Sequence, residues 1–246
     1  MKRAENALRA GPAWPSVSAF RWLDPPRVVG HRGNPAEATE NTLESFRLAL
    51  EAGVRAVELD VRMTRDGELV VHHDAELGRV VPGAGLVEEL RRSDIPEVVP
   101  GLAEVLTRLP SDVLVDAEIK ADAANAEEVP ARLAALVDAC DARERVLATS
   151  FAPELADAYA ALAQRPGGMI LPFPPDEEML AEWPRLPFVM MASDAAIPEA
   201  LALVRKRGGV PCVWTVNDAR EAEALLAAGA ASIITDRPRS LAARLR

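Results

Sequence analysis

Short apolar runs alternate with amphipathic helical segments from Arg27 to the end of the chain, and this alternation constrains the fold more than any other feature. Nine runs are strand-like, among them "RVVGH", "RAVELDV", "DVLVDAEIK", "VPCVWTV" and "ASIIT". Strand–helix alternation over a whole domain predicts a parallel sheet. The length of 246 residues is close to the about 250 residues typical of an eight-stranded TIM barrel.

The main alternative is an open, doubly wound sheet, which would carry the turn G-x-G-x-x-G after its first strand. Gly30 and Gly33 do not have that spacing. The link from Asp60 to Leu69 is too short for a crossover helix and contains the turn signal Asp66-Gly67. We therefore predict an α/β fold, an irregular TIM (β/α)8 barrel in a single domain.

The first 26 residues differ in composition from the rest of the chain. They combine aromatic residues with several prolines, namely Trp14, Phe20, Trp22, Pro12, Pro15, Pro25 and Pro26. Prolines disfavour a regular element and aromatics disfavour free disorder. We predict that residues 1–26 form an extension packed on a barrel of residues 27–246.

Charge and apolar content limit the partners that the protein can have. The net charge of −10 argues against a nucleic-acid partner. No apolar run approaches 18 residues, which predicts no stable membrane insertion, and no apolar stretch near the N-terminus resembles an export signal. With two separate cysteines, Cys140 and Cys212, these features favour a cytoplasmic location. No feature indicates an oligomeric state.

Three carboxylates are expected on the inner face of the barrel. Side chains alternate along a strand, so Glu58 and Asp60 share one face of "AVELDV", and Glu118 lies on the polar face of "DVLVDAEIK". Burying a carboxylate costs several kcal/mol without compensation. A divalent cation with oxygen ligands, Mg²⁺ or Ca²⁺, would compensate. The alternative is that they are solvated or form ion pairs with Arg32 and Lys120.

Two of the three histidines are predicted at strand ends, where barrel enzymes place their active sites. His31 ends the first strand and His73 ends "ELVVHHD", whereas His72 should point the opposite way. One imidazole can accept a proton while another donates one, and a cation and a guanidinium can neutralise phosphate charge. These residues indicate metal-assisted hydrolysis or transfer at a phosphorylated centre, although strand-end histidines also serve structural roles.

Six motifs in order strongly resemble the glycerophosphodiester phosphodiesterase family: "GHRG", "ENT", "ELDVRMTRDGELVVHHD", "EIK", "VWTVN" and "IITDRP". They extend from Gly30 to Pro238, which is nearly the whole chain. The resemblance implies an irregular TIM barrel that hydrolyses a small glycerophosphodiester to glycerol 3-phosphate and an alcohol with a divalent metal. It also implies attack of the glycerol 2-hydroxyl on phosphorus, followed by opening of the cyclic phosphate by water.

The resemblance further implies roles for individual residues. The groups that carry out the reaction are the acid–base pair His31 and His73 and the metal ligands Glu58, Asp60 and Glu118. Arg32 is expected to contact the phosphate, Lys120 to line the pocket and Glu40 to support the site. Trp214 is expected to border the substrate, with packing inside the barrel as the alternative.

Two other functions remain open at this point. A related lysophospholipase D-like or cyclising phosphodiesterase would act on lysolipids, and would be expected to expose apolar or basic surface at the barrel mouth. A non-catalytic metal-binding barrel is the other alternative. Two histidines suited to proton transfer argue against a pure binding role.

Overall fold

The computed structural model describes residues 20–25 and 27–245. Within these ranges, eight parallel strands form a closed barrel, because the first strand pairs with both the second and the last. The strands are β1 (Val28–Gly30), β2 (Ala56–Met63), β3 (Leu69–Val71), β4 (Leu114–Ile119), β5 (Val146–Ser150), β6 (Gly168–Leu171), β7 (Phe188–Ala192), β8 (Val210–Trp214) and β9 (Ser232–Thr235). The predicted TIM barrel is confirmed.

The irregular part of the barrel is β3, which is additional to the eight parallel strands and lies antiparallel to β2. β2 is long enough to have two neighbours on one side. Val57 pairs with Gly30 of β1, and Val61, further along, pairs with Val71 of β3. The link between β2 and β3 is a tight turn in which Gly67 has φ +83° and donates to the Thr64 carbonyl oxygen at 3.0 Å. This turn replaces a crossover helix, as its shortness predicts.

Each parallel strand is followed by a helix in the described part of the chain. The helices are α1 (Leu43–Glu51), α2 (Leu102–Arg108), α3 (Val129–Ala139), α4 (Pro153–Ala163), α5 (Glu177–Glu182), α6 (Pro198–Lys206), α7 (Ala219–Ala228) and α8 (Pro238–Arg244). Proline begins α4, α6 and α8, where its missing N–H is not needed. None of these described helices is long and apolar enough to cross a membrane.

The inner and outer faces of the barrel have separate apolar clusters. Val57, Leu59 and Val61 of β2 face outwards and pack in the layer beneath the helices. Inside the barrel lies a second cluster that includes Leu114 and Met190. The polar residues that alternate with the outer set on β2 and β4 are consequently turned towards the barrel interior and its C-terminal end.

Aromatic side chains close the opposite, N-terminal end of the barrel interior. Phe20 and Trp22 are each 1% exposed and belong to the inner cluster. Both rings meet the ring of Phe188, the first residue of β7, edge to face, and Trp22 Nε1 donates to the Arg145 carbonyl oxygen at 3.0 Å. Residues 1–19 and 26 of the predicted extension lie outside the described residues, and packing of that extension stays a prediction.

Truncating Trp22 should destabilise the barrel. Trp22→Ala removes a buried ring and leaves a cavity, which should lower the free energy of unfolding by about 3–5 kcal/mol. Denaturant unfolding would measure this. Leu162→Ala is the control, since Leu162 is 57% exposed and its loss should change stability by about 0.5 kcal/mol or less. Equal effects of the two substitutions would contradict a role for Trp22 in closing the barrel.

Candidate active site

A pocket opens at the C-terminal ends of the barrel strands, the end at which TIM-barrel enzymes build their active sites. Seven of the nine predicted site residues line it. The lining consists of His31, Arg32, Glu58, His73, Asp116, Glu118, Lys120, Thr149, Phe151, Ile170, Met190, Trp214, Thr215 and Ile234. The other two, Asp60 and Glu40, lie behind the wall and contact Arg32, at 3.2 and 3.0 Å.

A tight turn after β1 brings two consecutive residues to this pocket. Arg32 has φ +52° and Gly33 has φ +90°, so the chain leaves the extended conformation directly after the histidine. A Cβ atom at Gly30 would lie 2.3 Å from the Gly33 carbonyl oxygen, and one at Gly33 would lie 2.4 Å from Ser45 Oγ. The two glycines of "GHRG" therefore permit a turn that lets His31 and Arg32 line the same pocket.

The carboxylates of β2 and β4 face one another across the strand pair. Glu58 lies in register with Asp116, and Asp60 with Glu118. One oxygen from each of Glu58, Asp60 and Glu118 lies within 4.8 Å of the others. Asp60 is fully buried, and the Glu118 side chain is 12% exposed. The predicted metal ligands are thus brought together at one point of the pocket.

Cationic groups compensate this cluster only in part. Lys120 Nζ lies 2.6 Å from both Asp60 Oδ1 and Glu118 Oε1, and Arg32 Nε lies 3.2 Å from Asp60 Oδ2. Burial alone would raise the pKa of Asp60, but Lys120 and Arg32 outweigh it and hold this pKa below its usual range. Three carboxylates, Glu58, Asp60 and Glu118, are thus near only two cationic side chains of the described residues, those of Lys120 and Arg32.

Glu58 is only partly compensated. Burial, and then the neighbouring charges of Asp60 and Glu118, raise the pKa of Glu58 well above its ordinary value. Its Oε1 is buried and has no hydrogen-bond partner among the described residues, while its Oε2 accepts from the Arg32 backbone N–H at 2.9 Å. Carboxylate oxygens are the ligands that Mg²⁺ and Ca²⁺ prefer. A divalent cation would favour ionised Glu58 and give Oε1 a partner, so the donor set fits such an ion.

A carboxylate orients the first histidine. His31 Nδ1 lies 2.6 Å from Asp236 Oδ1. Asn217 fixes that carboxylate, because its Nδ2 donates to Asp236 Oδ2 at 2.8 Å and its Oδ1 accepts from the Asp236 backbone N–H at 2.9 Å. In the neutral tautomer that donates Nδ1–H to Asp236, Nε2 is the nitrogen that can accept a proton.

The second histidine has the same arrangement. His73 Nδ1 lies 2.7 Å from Asp74 Oδ1, and Arg79 forms an ion pair with Asp74. Burial lowers the pKa of His73, although Asp60 and Asp74 act in the opposite direction. A neutral His73 can accept a proton at neutral pH. His72 is 2% exposed and does not line the pocket.

Two residues of the "ENT" motif hold the wall behind the pocket. Glu40 Oε1 accepts from Arg32 Nη1 at 3.0 Å and is also paired with Arg79. Asn41 Nδ2 donates to Asp60 Oδ2 at 2.6 Å. Asn41 does not cap the helix that follows it. Asn41 has φ +58°, and Thr42 caps α1 by accepting from the Ser45 N–H.

The remaining wall is aromatic. The ring of Trp214 meets that of Phe151 edge to face at 5.6 Å, and its Nε1 donates to the Met190 carbonyl oxygen at 3.0 Å. Trp214 is partly exposed to the pocket, whereas Cys212 on the same strand face is buried in the barrel interior. Trp214 therefore lies above the apolar core of the barrel and borders the open space.

Several contacts were missed by sequence reasoning. Asp236 and Asn217 follow β9 and β8, so their place at strand ends was an available signal. Asp116 is buried on the pocket floor, where it accepts from Thr149 Oγ1 at 2.8 Å, and burial raises its pKa to about 7. Because Asp116 lies two residues before Glu118, strand alternation places both on the same face of β4, and this could be predicted from the sequence. The sequence around Arg79 has no periodic pattern or motif from which its contact with Asp74 could be predicted.

The comparisons with known proteins agree with this geometry. The sequence profile of the glycerophosphoryl diester phosphodiesterase family matches residues 31–240. This chain belongs to that family. The predicted family and the predicted enzyme class, a phosphoric diester hydrolase, are confirmed.

Individual relatives extend the match over most of the chain. A glycerophosphodiester phosphodiesterase of Caldanaerobacter subterraneus subsp. tengcongensis is 31% identical over 240 residues, which cover 87% of this chain and 95% of the relative. The crystal structure of one from Agrobacterium tumefaciens is 26% identical, with a TM-score of 0.76, and covers 88% of this chain and 99% of that one. An Oleispira antarctica phosphodiesterase in complex with sn-glycerol-3-phosphate shares the fold, with a TM-score of 0.81 at 22% identity over 89% and 96% of the two chains.

Asp236 provides a test of the histidine geometry. Asp236→Asn removes the carboxylate that accepts from His31 Nδ1, so the ring loses its fixed tautomer, and kcat should fall about 10- to 100-fold. Steady-state kinetics with a glycerophosphodiester would measure this. The control is Asp218→Asn, which lies nearby and caps α7 through backbone contacts that asparagine can also make. Wild-type kcat in Asp236→Asn would contradict the proposed orientation of His31.

Proposed function

We propose that this chain hydrolyses glycerophosphodiesters to glycerol 3-phosphate and an alcohol, using a divalent cation and two histidines. The observation that carries the proposal is the convergence of two kinds of group in one pocket. Two histidines held by carboxylates line the same space as the partly compensated carboxylates of Glu58 and Glu118. Membership of the phosphodiesterase family supports it.

Recognition of the phosphate is proposed for the cationic side of the pocket. Arg32 and Lys120 both line it, and both are held in place by carboxylates. A guanidinium can form two parallel hydrogen bonds to phosphate oxygens, while an ammonium acts as a point charge. Glu58, Asp60 and Glu118 would hold the cation, which when bound supplies further neutralisation of phosphate charge.

Proton transfer is proposed for His31 and His73. The glycerol 2-hydroxyl attacks phosphorus while one histidine takes its proton and the other gives a proton to the oxygen of the leaving alcohol, which leaves a cyclic phosphate. Water then opens the cyclic phosphate to glycerol 3-phosphate, with the two histidines exchanging roles. Both rings have Nδ1 bound to a carboxylate, so Nε2 is the nitrogen that exchanges protons in each. Trp214, beside Phe151, would border the carbon skeleton of the substrate. The predicted cytoplasmic location stays a prediction.

The first test compares the adjacent histidines. His31→Ala and His73→Ala should each lower kcat about 10²- to 10⁴-fold, because each removes a group that transfers a proton. His72→Asn should retain kcat, since His72 lies outside the pocket. Release of glycerol 3-phosphate from sn-glycero-3-phosphocholine would be measured, with circular dichroism to confirm folding.

The same assay separates the alternative functions. A cyclic phosphate as the end product, or turnover of lysophosphatidylcholine alone, would favour the cyclising or lysophospholipase D-like enzyme. An inactive wild-type protein that binds metal would favour a binding module. An inactive His72→Asn with an active His73→Ala would refute the proposed assignment of the histidines.

The metal site has a test that does not depend on activity. Glu58→Gln should weaken binding of Mg²⁺ or Ca²⁺, measured by isothermal titration calorimetry, because it removes a ligand charge. Bound metal should raise the Tm of the wild type by mass action and raise that of the variant less. Glu104→Gln is the control, since Glu104 pairs with Arg108 on the exposed side of α2. Unchanged affinity in Glu58→Gln would exclude Glu58 as a ligand.

A further inference from the structure

A second groove opens beside the pocket, and we call it the side groove. It shares Phe151 and Ile170 with the pocket, so the two spaces adjoin along a common wall. It runs from the end of β5 past the loop after β6 to helix α5. Its other walls include Phe173, Met179, Trp183, Glu178 and Glu182. The reaction as proposed above makes no use of these residues.

The aromatic walls of the side groove are open to solvent. Phe151 is 46% exposed and Phe173 is 48% exposed, which places both among the most exposed large apolar side chains in the described part of the chain. Clustered exposed apolar side chains beside a catalytic pocket are typical of a binding surface. An aromatic face is also attractive to a cation.

The acidic walls of the side groove are uncompensated. Glu178 and Glu182 are four residues apart on α5 and therefore lie on the same side of that helix. Neither forms an ion pair with any residue that the structure describes. Glu177 differs, because it does not line the groove and pairs with Lys206 of α6 at 3.0 Å. The negative potential of Glu178 and Glu182 is thus available to a ligand.

The two adjoining spaces differ in the charged groups that they offer a ligand. Arg32 and Lys120 supply positive charge beside the catalytic histidines, whereas Glu178 and Glu182 supply negative charge in the side groove. The edge-to-face pair of Phe151 and Trp214 lies at the pocket end of the shared wall. A ligand that complements this arrangement carries a phosphate at one end and a cation on a short carbon chain at the other.

We propose that the side groove binds the alcohol half of the diester and favours alcohols with an alkylammonium group. This inference rests on the proposed hydrolysis of glycerophosphodiesters and specifies which of them the enzyme prefers. Phe173 and Phe151 contact the alkyl groups around the nitrogen, and Glu178 and Glu182 supply the opposite charge. The side groove determines substrate specificity, whereas the histidines carry out the proton transfers of the reaction at phosphorus.

The test compares two diesters that differ in the charge of the alcohol. kcat/KM is measured for sn-glycero-3-phosphocholine and for glycerophosphoglycerol, whose alcohol is neutral. In Glu178→Gln/Glu182→Gln, the ratio of the two values should fall about 3- to 10-fold, which corresponds to the loss of two partly exposed charge interactions. The fall should shrink at high ionic strength because salt screens exposed charges. Phe173→Leu should lower the ratio about 2- to 5-fold through loss of the aromatic face.

Glu177→Gln is the matched control, since it removes an adjacent charge that does not line the groove, and its ratio should equal that of the wild type. An unchanged ratio in the double variant and in Phe173→Leu, with both diesters hydrolysed, would overturn the inference and leave the proposed function intact. Hydrolysis of neither diester by the wild type would overturn both. Faster turnover of lysophosphatidylcholine that is insensitive to Glu178 and Glu182 would identify an acyl chain as the occupant and overturn the inference.

Discussion

The removal of the Glu58, Asp60 and Glu118 carboxylates from water is the constraint on which the rest of the structure depends. Isolated charges at such depth cost several kcal/mol each, so neighbouring segments must supply opposite charge or hydrogen bonds. Lys120 reaches two of these carboxylates from β4, and Arg32 reaches Asp60 from the turn after β1. The geometry of that turn, the contacts of "ENT" and the fit of a divalent cation all follow from this requirement.

The periodic features of the fold were predictable from the sequence. Alternation along β2 and β4 separates apolar residues that pack beneath the helices from polar residues that face the interior, and this separation needs only the two-residue period of a strand. Local chemistry is likewise sufficient for the ends of α7, where Asp218 accepts from two backbone N–H groups and Gly229 adopts φ +116°. Each of these features is decided within a few residues of chain.

Contacts between distant segments were not predictable in the same way. Arg79 meets Glu40 across 39 positions of sequence, in a loop with no regular structure, so no periodicity reports it. Asparagine is a residue type that commonly caps helices, but the side chain of Asn41 contacts buried Asp60 instead. The position of Phe20 and Trp22 at the N-terminal end of the barrel required knowledge of where β7 begins. In each case a tertiary contact outweighs the local preference.

The antiparallel strand β3 has a consequence for how the active site is built. The parallel ring is closed by pairing of β1 with β2, and β3 takes no part in that closure. The segment from β3 to α2 is therefore an addition at the rim of the barrel. His73 lies at the start of this segment, shortly after the end of β3. Closure of the parallel ring makes no use of the chain beyond it, from residue 75 to residue 100. The edge of the active-site pocket and the closure of the barrel are therefore built by different parts of the chain.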